Sequence, residues 1–386
     1  MKFKKQLFGF MDMLRFTKLV PNRRAALAAG ADTPLPETWA VNEQARALHP
    51  GRMQVELTEV IPLTPRMTEL VFRRVDADAF PFFRAGQYVS LQGKVGDSVV
   101  SRPYSIASSP RQALQNRLVL GVENTGFFSQ YLTQEAKPGD RFVMTEPSGE
   151  FHYETLRDKK HIVGVAGGSG ITPFLSMAQS ALEGDEPYKM TLFYGARREE
   201  DLAFRKELDA LSEKGLQVIY VLSDEERPGY EHGFVSGELL SKYVPVKDVT
   251  YFLCGPKAMY EYLAGQMAPW HLPVKAVHKD ATCCPSLVIP NPRTFTLTVH
   301  IRDKVFTVPA REDETLLTAM ERVGIEAPNK CRAGGCGYCH SKWLGGDFQV
   351  AEGRDGRREA DRKFGLVHPC VTYPLSDMEL DVPPAE

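Results

Sequence analysis

Cys331, Cys336, Cys339 and Cys370 carry the strongest chemical signal in this sequence. Four residues separate the first two, two separate the next pair, and the last lies far downstream. This is the C-x4-C-x2-C…C ligand spacing of a plant-type 2Fe–2S centre. Three thiolates on one short loop can wrap a small inorganic core only where the backbone turns sharply. Gly334, Gly335 and Gly337 would turn at little steric cost and let N–H groups approach the sulfurs. Zinc is the alternative, but its structural sites usually pair cysteines in two knuckles, and here there is one knuckle and an outlier. A disulfide framework belongs to short secreted chains.

Three further groups could bind a nucleotide. In Arg102-Pro-Tyr104-Ser105 an arginine, a ring and a hydroxyl stand close enough to serve one flat phosphorylated ligand. Downstream, Gly126-Phe127-Phe-Ser129 opens an expected helix whose free N–H groups could hold a pyrophosphate. The loop Gly167-Gly168-Ser169-Gly170-Ile-Thr172-Pro173 follows an apolar run, where a dinucleotide pyrophosphate would sit. Thr172 is expected to cap the next helix, with Pro173 at its first position. The loop does not match G-x-G-x-x-G, so a generic dinucleotide fingerprint does not apply.

These groups need particular elements beneath them. Six alternating runs, 54–60, 68–75, 87–92, 99–107, 117–122 and 141–147, predict a six-stranded antiparallel β-barrel. From residue 161 strands and helices alternate: strands at 161–166, 190–194, 216–222, 250–254 and 274–278, and helices at 174–182, 201–214, 235–243 and 257–267. That pattern predicts a parallel α/β, Rossmann-like sheet. Residues 295–301, 305–308 and an amphipathic 314–323 surround the cysteines as a smaller α+β unit. The expected segments are 1–52, a basic helical extension and linker; 53–155, the barrel; 156–281, the nucleotide domain; 282–293, a linker; and 294–386, the cysteine-bearing unit.

The motifs Phe83-Arg-Ala-Gly86-Gln87-Tyr88, Arg102–Ser105, Gly126–Ser129, Pro147-Ser-Gly149-Glu-Phe151, Gly167–Pro173 and Cys254-Gly255-Pro256 together resemble the ferredoxin–NADP reductase superfamily. The last ninety residues resemble a plant-type ferredoxin, which implies a β-grasp ferredoxin domain over 294–386, and the reductase resemblance implies that the barrel at 53–155 binds the flavin. The combined order is similar to oxygenase reductase components and to the reductases of hybrid-cluster proteins. The resemblance assigns Arg102 to the flavin phosphates, Tyr104 to the ribityl and ring, Ser105 to the surroundings of flavin N5, and Cys254 to the nicotinamide. Ser105 and Cys254 are thus the expected catalytic residues. Glu123 departs from relatives that often carry a base near the phosphates, which leaves FMN as an alternative to FAD. Asp224, after the third strand, would repel a 2′-phosphate and accept from a bare 2′-hydroxyl, favouring NADH over NADPH; Arg197, Arg198 and Arg227 lie near it in sequence. Relatives often place a Glu–aromatic pair where this chain has His278-Lys279-Asp280-Ala281.

Of 386 residues, 43% are hydrophobic, enough for several packed cores, and the net charge of -2 gives no basis for a nucleic-acid partner. No apolar run is long enough to span a bilayer. With a cluster and the spare thiols Cys283 and Cys284, the expected setting is a reducing cytoplasm. Met1–Arg24 carries seven bases and one acid, with Phe3, Leu7, Phe10 and Leu14 at helical spacing. This is read either as a helix packed on its own protein or as a surface for anionic membrane or an acidic acceptor. The expected function is an NADH-dependent flavin/iron–sulfur reductase handing electrons singly to a redox protein. The alternatives are a docking module of a larger, membrane-associated redox complex and a self-sufficient flavin reductase of a small molecule.

Overall fold

A computed structural model describes residues 9–30, 39–280 and 287–385. Cys283 and Cys284 lie outside these residues, as do Phe3 and Leu7. The chain divides into two units, Met1–Ala47 and Leu48–Glu386.

The first unit holds helix α1, Gly9–Ala28, and most of α2, Ala40–Leu48. On α1, Leu14, Phe16, Leu19, Val20 and Leu27 are exposed. No helix among the described residues is long and apolar enough to cross a membrane.

The second unit opens with strands β1 Arg52–Pro62, β2 Met67–Arg74, β3 Tyr88–Val95, β4 Ser98–Ser105, β5 Leu118–Glu123 and β6 Arg141–Thr145. They form one antiparallel sheet in the order β4-β3-β6-β1-β2-β5. Alternating residues such as Met53, Val55 and Leu57 on β1 point inward, where Leu70, Phe72, Leu91, Leu120, Phe142 and Met144 close the core. Helices α3, Pro110–Leu114, and α4, Phe127–Gln134, complete this half. The sequence pattern missed α3. It is a single turn held by a Ser109–Gln112 capping box, too short to show a period.

Next come β7 His161–Gly167, β8 Lys189–Ala196, β9 Gln217–Leu222, β10 Glu231–His232, β11 Thr250–Cys254 and β12 Val277–Lys279. All neighbours pair parallel, in the order β10-β9-β8-β7-β11-β12. Four helices accompany them: α5 Thr172–Leu182, α6 Arg205–Ser212, α7 Gly237–Tyr243 and α8 Lys257–Met267. The inner strands β9, β8, β7 and β11 are buried on both faces, which explains their apolar runs. The last strand is shorter than expected, because Val274–Ala276 forms a 3-10 turn after Pro273 and only Val277–Lys279 pairs. Barrel and sheet share one core, in which Phe151 of the barrel's exit packs edge-on against Phe174 and Phe252.

The C-terminal part pairs β13 Thr294–Ile301, β14 Lys304–Arg311, β15 Ser341–Gly345, β17 Leu366–Val367 and β19 Met378–Asp381 in the order β14-β13-β19-β15-β17; β16 Phe348–Val350 pairs with β18 Thr372–Pro374. Helix α9, Leu316–Arg322, is capped by Thr315 and buries Leu316, Leu317, Ala319 and Met320. A short α10, Glu359–Lys363, follows.

His278 of β12 bonds to Asp158 in the barrel's exit segment at 2.8 Å. Burial alone would raise the Asp158 carboxyl; bonds from Arg157, the Glu154 amide and His278 outweigh it and hold it below its ordinary 3.8. Burial is also the first cause that depresses His152, His161 and His278 below 6.5. A depressed histidine binds fewer protons folded than unfolded. The stability it contributes is therefore full above 6.5 and is lost as pH falls from there through the folded value. The melting temperature should accordingly drop between about pH 7.5 and 5.5. His278→Gln should shallow that dependence; a melting temperature that rises on this acidification contradicts the assignment.

Candidate functional site

In the parallel sheet the chain order reverses between β7 and β11, and ligands of such sheets lie in the crevice at the carboxyl ends of the strands there. Both glycine motifs meet at this point. Cys254 pairs with Ala166 in register, so Gly167–Gly170 and Cys254–Pro256 leave adjacent strands side by side. A Cβ on Gly170 would fall on the Cys254 carbonyl, and one on Gly167 would reach Pro256 at 3.1 Å. Gly168 has φ +57 with open space before it. Pro256 stands at the N-cap of α8, and the Gly255 amide donates to the Tyr260 hydroxyl at 3.1 Å.

Thr172 departs from expectation. Gly168–Ile171 is a 3-10 turn that runs directly into α5, so Ile171 is the N-cap and no side chain caps it. The Thr172 hydroxyl donates to the Ser169 carbonyl at 2.8 Å instead.

The two residues expected to be catalytic come together. Ser105, the last residue of β4, donates to Asp280 Oδ2 at 3.3 Å, and the Cys254 thiol lies 3.4 Å from the same oxygen. Burial first, then the Asp280 charge, pushes the Cys254 thiol well up, so it is a neutral thiol at physiological pH. Sequence reading left Asp280 without a role. Its signal was a carboxylate just past the final strand, legible only once that strand is known to lie beside β11.

On β4, Arg102 Nη1 bonds to Glu321 Oε2 at 2.9 Å and to its neighbour's carbonyl, Ser101 O, at 2.7 Å. Its Nε and Nη2 show no partner among the described residues. Tyr104 packs on the barrel core. Gly126 is the N-cap of α4, with φ -161 in extended backbone. The Ser129 hydroxyl accepts from the Gly126 and Thr125 amides at 2.9 and 3.0 Å, so it ties down the loop. Phe127 is exposed. Glu123 accepts from Ser169 Oγ at 2.7 Å and lies 3.2 Å from the Arg66 guanidinium, so a base stands beside the acid after all. These free donors, an uncapped helix start and a base nearby fit a phosphorylated flavin.

Asp224 is exposed beyond β9, accepts from Ser223 Oγ at 2.6 Å, and its amide donates to the Arg197 carbonyl at 2.9 Å. Arg227 is engaged by Glu199 and Glu225, and Arg198 lies 3.8 Å from Glu200. Arg197 is exposed.

Cys331, Cys339 and Cys370 are buried and Cys336 is exposed. They fall into two pairs, Cys331 with Cys336, and Cys339 with Cys370 at 3.4 Å between sulfurs. Among the described residues no three His, Cys, Asp or Glu side chains converge as a single metal ion would require. Two pairs suit a two-iron core better than one tetrahedral zinc. The Cys336 thiol, with backbone amides of Ala333, Cys336 and Gly335, holds Cys331 down at about 5. Cys336 is raised by its bond to Cys331, and Cys370 by Cys339 and then by burial. Gly334 and Gly337 take φ of +81 and +70, and a Cβ on Gly334 would fall on the Arg354 carbonyl. Gly335 has no such backbone; the third left-handed position is Arg332, at φ +51.

Family models match in chain order: an oxidoreductase FAD-binding domain over residues 54–153, an oxidoreductase NAD-binding domain over 165–264, and a 2Fe-2S iron-sulfur cluster binding domain over 299–375. The heme-dependent oxidative N-demethylase beta subunit of Ectopseudomonas mendocina is 30% identical over 323 residues, covering 83% of this chain and 95% of its own. One component of the 1,2-phenylacetyl-CoA epoxidase of Escherichia coli is 28% identical over 319 residues, covering 78% and 88%. The solved structure of a phthalate dioxygenase reductase shares the fold, with a TM-score of 0.64, 22% identity, and coverage of 86% of this chain and 98% of that one.

Proposed function

We infer the function from one premise: the chain belongs to the oxidoreductase family that joins an FAD-binding domain, an NAD-binding domain and a 2Fe-2S domain. It is an NAD(P)H-dependent oxidoreductase that uses FAD and a 2Fe–2S cluster. We propose that NADH is its donor and that electrons leave one at a time to a partner protein, an oxygenase or comparable redox protein. The N-demethylase and epoxidase relatives support this reading, since each is one subunit of an oxidative enzyme with further subunits. The observation that carries it is a single strand. β4 ends at Ser105 beside Cys254 and Asp280, while Ser101 and Arg102 on the same strand bond to Glu321 of the cluster-bearing part.

When bound, FAD takes up a hydride as two electrons and can release them singly, which a 2Fe–2S centre requires. The chain's own residues position and shield. Arg102 and the α4 N-terminus would hold flavin phosphates, and Ser105 would face the flavin ring. Gly167, Gly168 and Gly170 would admit the dinucleotide pyrophosphate close to the backbone, and Cys254 would pack as a neutral thiol at the nicotinamide. Cys331, Cys336, Cys339 and Cys370 would ligate the cluster. We place the functional segments at 53–155, 156–281 and 294–386.

Three experiments test this reading. Cys336→Ser should cut reduction of a one-electron protein acceptor at least ten times more than it cuts two-electron dye reduction by NADH, about 1.4 kcal/mol of selective loss. Equal losses would detach the cluster from the route. Asp224→Arg should raise kcat/KM for NADPH relative to NADH by about tenfold or more, by removing repulsion and adding a phosphate partner. A tenfold NADPH preference in the unmutated protein would refute this role for Asp224. We assign the basic extension, with exposed Phe16, Leu19 and Leu27 beside Lys18, Arg23 and Arg24, to docking on an anionic surface. Deleting residues 1–30 should weaken binding to anionic vesicles and remove its salt dependence while dye reduction persists. Unchanged vesicle binding would remove that assignment.

A further inference from the structure

Glu321, on α9, is 3% exposed and belongs to no expected site. Its Oε1 accepts from Arg332 Nη1 at 2.8 Å and from the Ser101 amide at 3.1 Å; its Oε2 accepts from Arg102 Nη1 at 2.9 Å. Arg332 is itself buried, donates to Thr318 Oγ1 at 3.3 Å, and follows directly on Cys331. Arg102 and Ser101 lie on the flavin barrel's strand β4. One carboxylate thus joins the cluster loop to the strand expected to hold the flavin phosphates.

Lesser contacts surround this junction. Ser90 Oγ donates to the Lys330 carbonyl at 3.0 Å, Lys330 Nζ reaches Glu146 at 3.0 Å, and Ser98 Oγ donates to the Arg322 carbonyl at 3.2 Å. A Cβ on Gly324, at φ +77, would press on the Asp97 carbonyl at 2.9 Å. On the barrel, Ser90, Asp97 and Ser98 belong to the β3–β4 hairpin, and Glu146 follows β6, the neighbour of β3.

An Arg–Glu–Arg triad in which Glu321 and Arg332 are buried and Arg102 is half-buried is a poor way to gain stability, because desolvating such charges roughly cancels their attraction and apolar residues would serve as well. Its advantage is registry. The fork of each guanidinium and the two carboxylate oxygens fix direction as well as distance, which packed methyl groups do not. The triad also sets two guanidinium groups against one carboxylate, and the Nε and Nη2 donors of Arg102 have no partner among the described residues.

We propose that Glu321 is a positioning residue for electron transfer, fixing the cluster loop in one register on the flavin strand through Arg332, Ser101 and Arg102. This rests on the flavin-to-cluster route proposed above. In Glu321→Gln, with flavin and cluster content matched to the unmutated protein, reduction of flavin by NADH should stay within about twofold. Flavin-to-cluster transfer should slow about tenfold or more, since ångström-scale misplacement is that costly. Amide hydrogen exchange, which needs no electron flow, should rise both in a peptide spanning 98–102 and in one spanning 329–335. Transfer at the normal rate, or faster exchange in the cluster loop alone, would overturn the proposal. Should Glu321→Gln lose its cluster, Arg332→Met decides, because Glu321 then keeps Arg102 and the Ser101 amide. The same uncoupling is expected there, and a normal transfer rate refutes it. Failure of the route itself would show differently, as a cluster that NADH never reduces in the unmutated protein.

Discussion

A hydride moves only between atoms in contact, and that requirement governs how the barrel and the parallel sheet are joined. The two halves meet where Ser105 and Cys254 share the Asp280 carboxylate, although Ser105 and Asp280 are 175 residues apart. The shared core behind this point, with Phe151 wedged against Phe174 and Phe252, allows little sliding, since well-packed interiors transmit displacement instead of absorbing it. The His278–Asp158 bond locks β12, and with it the approach to Asp280, to the segment leaving the barrel.

The second transfer depends on a different contact. An electron tolerates a gap, yet the gap must be short and constant, so the cluster loop has to be registered on the barrel. That is done largely by polar groups: the Glu321 triad, Lys330 with Glu146, and Ser90 and Ser98 on backbone carbonyls. The same strand, β4, serves both junctions, so disturbing it should be felt at each.

Patterns set by local spacing were legible in the sequence. The four cysteines, the Arg102–Ser105 run and the two glycine motifs need only their neighbours to be recognised, and strands such as Thr250–Cys254 follow from continuous apolar runs. What stayed hidden depends on distant partners or on backbone detail. Asp280 gains meaning only from the pairing of β12 with β11. Glu321 reads as one polar residue of an amphipathic helix until the barrel is placed against it. Thr172 looked like a cap because a 3-10 turn entering a helix leaves no mark in hydrophobic periodicity. The left-handed position taken by Arg332 instead of Gly335 was likewise invisible, since arginine gives no hint of positive φ.

The central claim is an order of events along one strand, from nucleotide to flavin to cluster to partner. Anaerobic rapid mixing of the intact protein with one equivalent of NADH, following flavin absorbance and the paramagnetic signal of the reduced cluster together, tests it directly. Flavin absorbance should bleach first, and the cluster signal should grow afterwards as part of the flavin absorbance returns. A cluster signal that rises before the flavin bleaches, or never rises while flavin is fully reduced, would contradict the account.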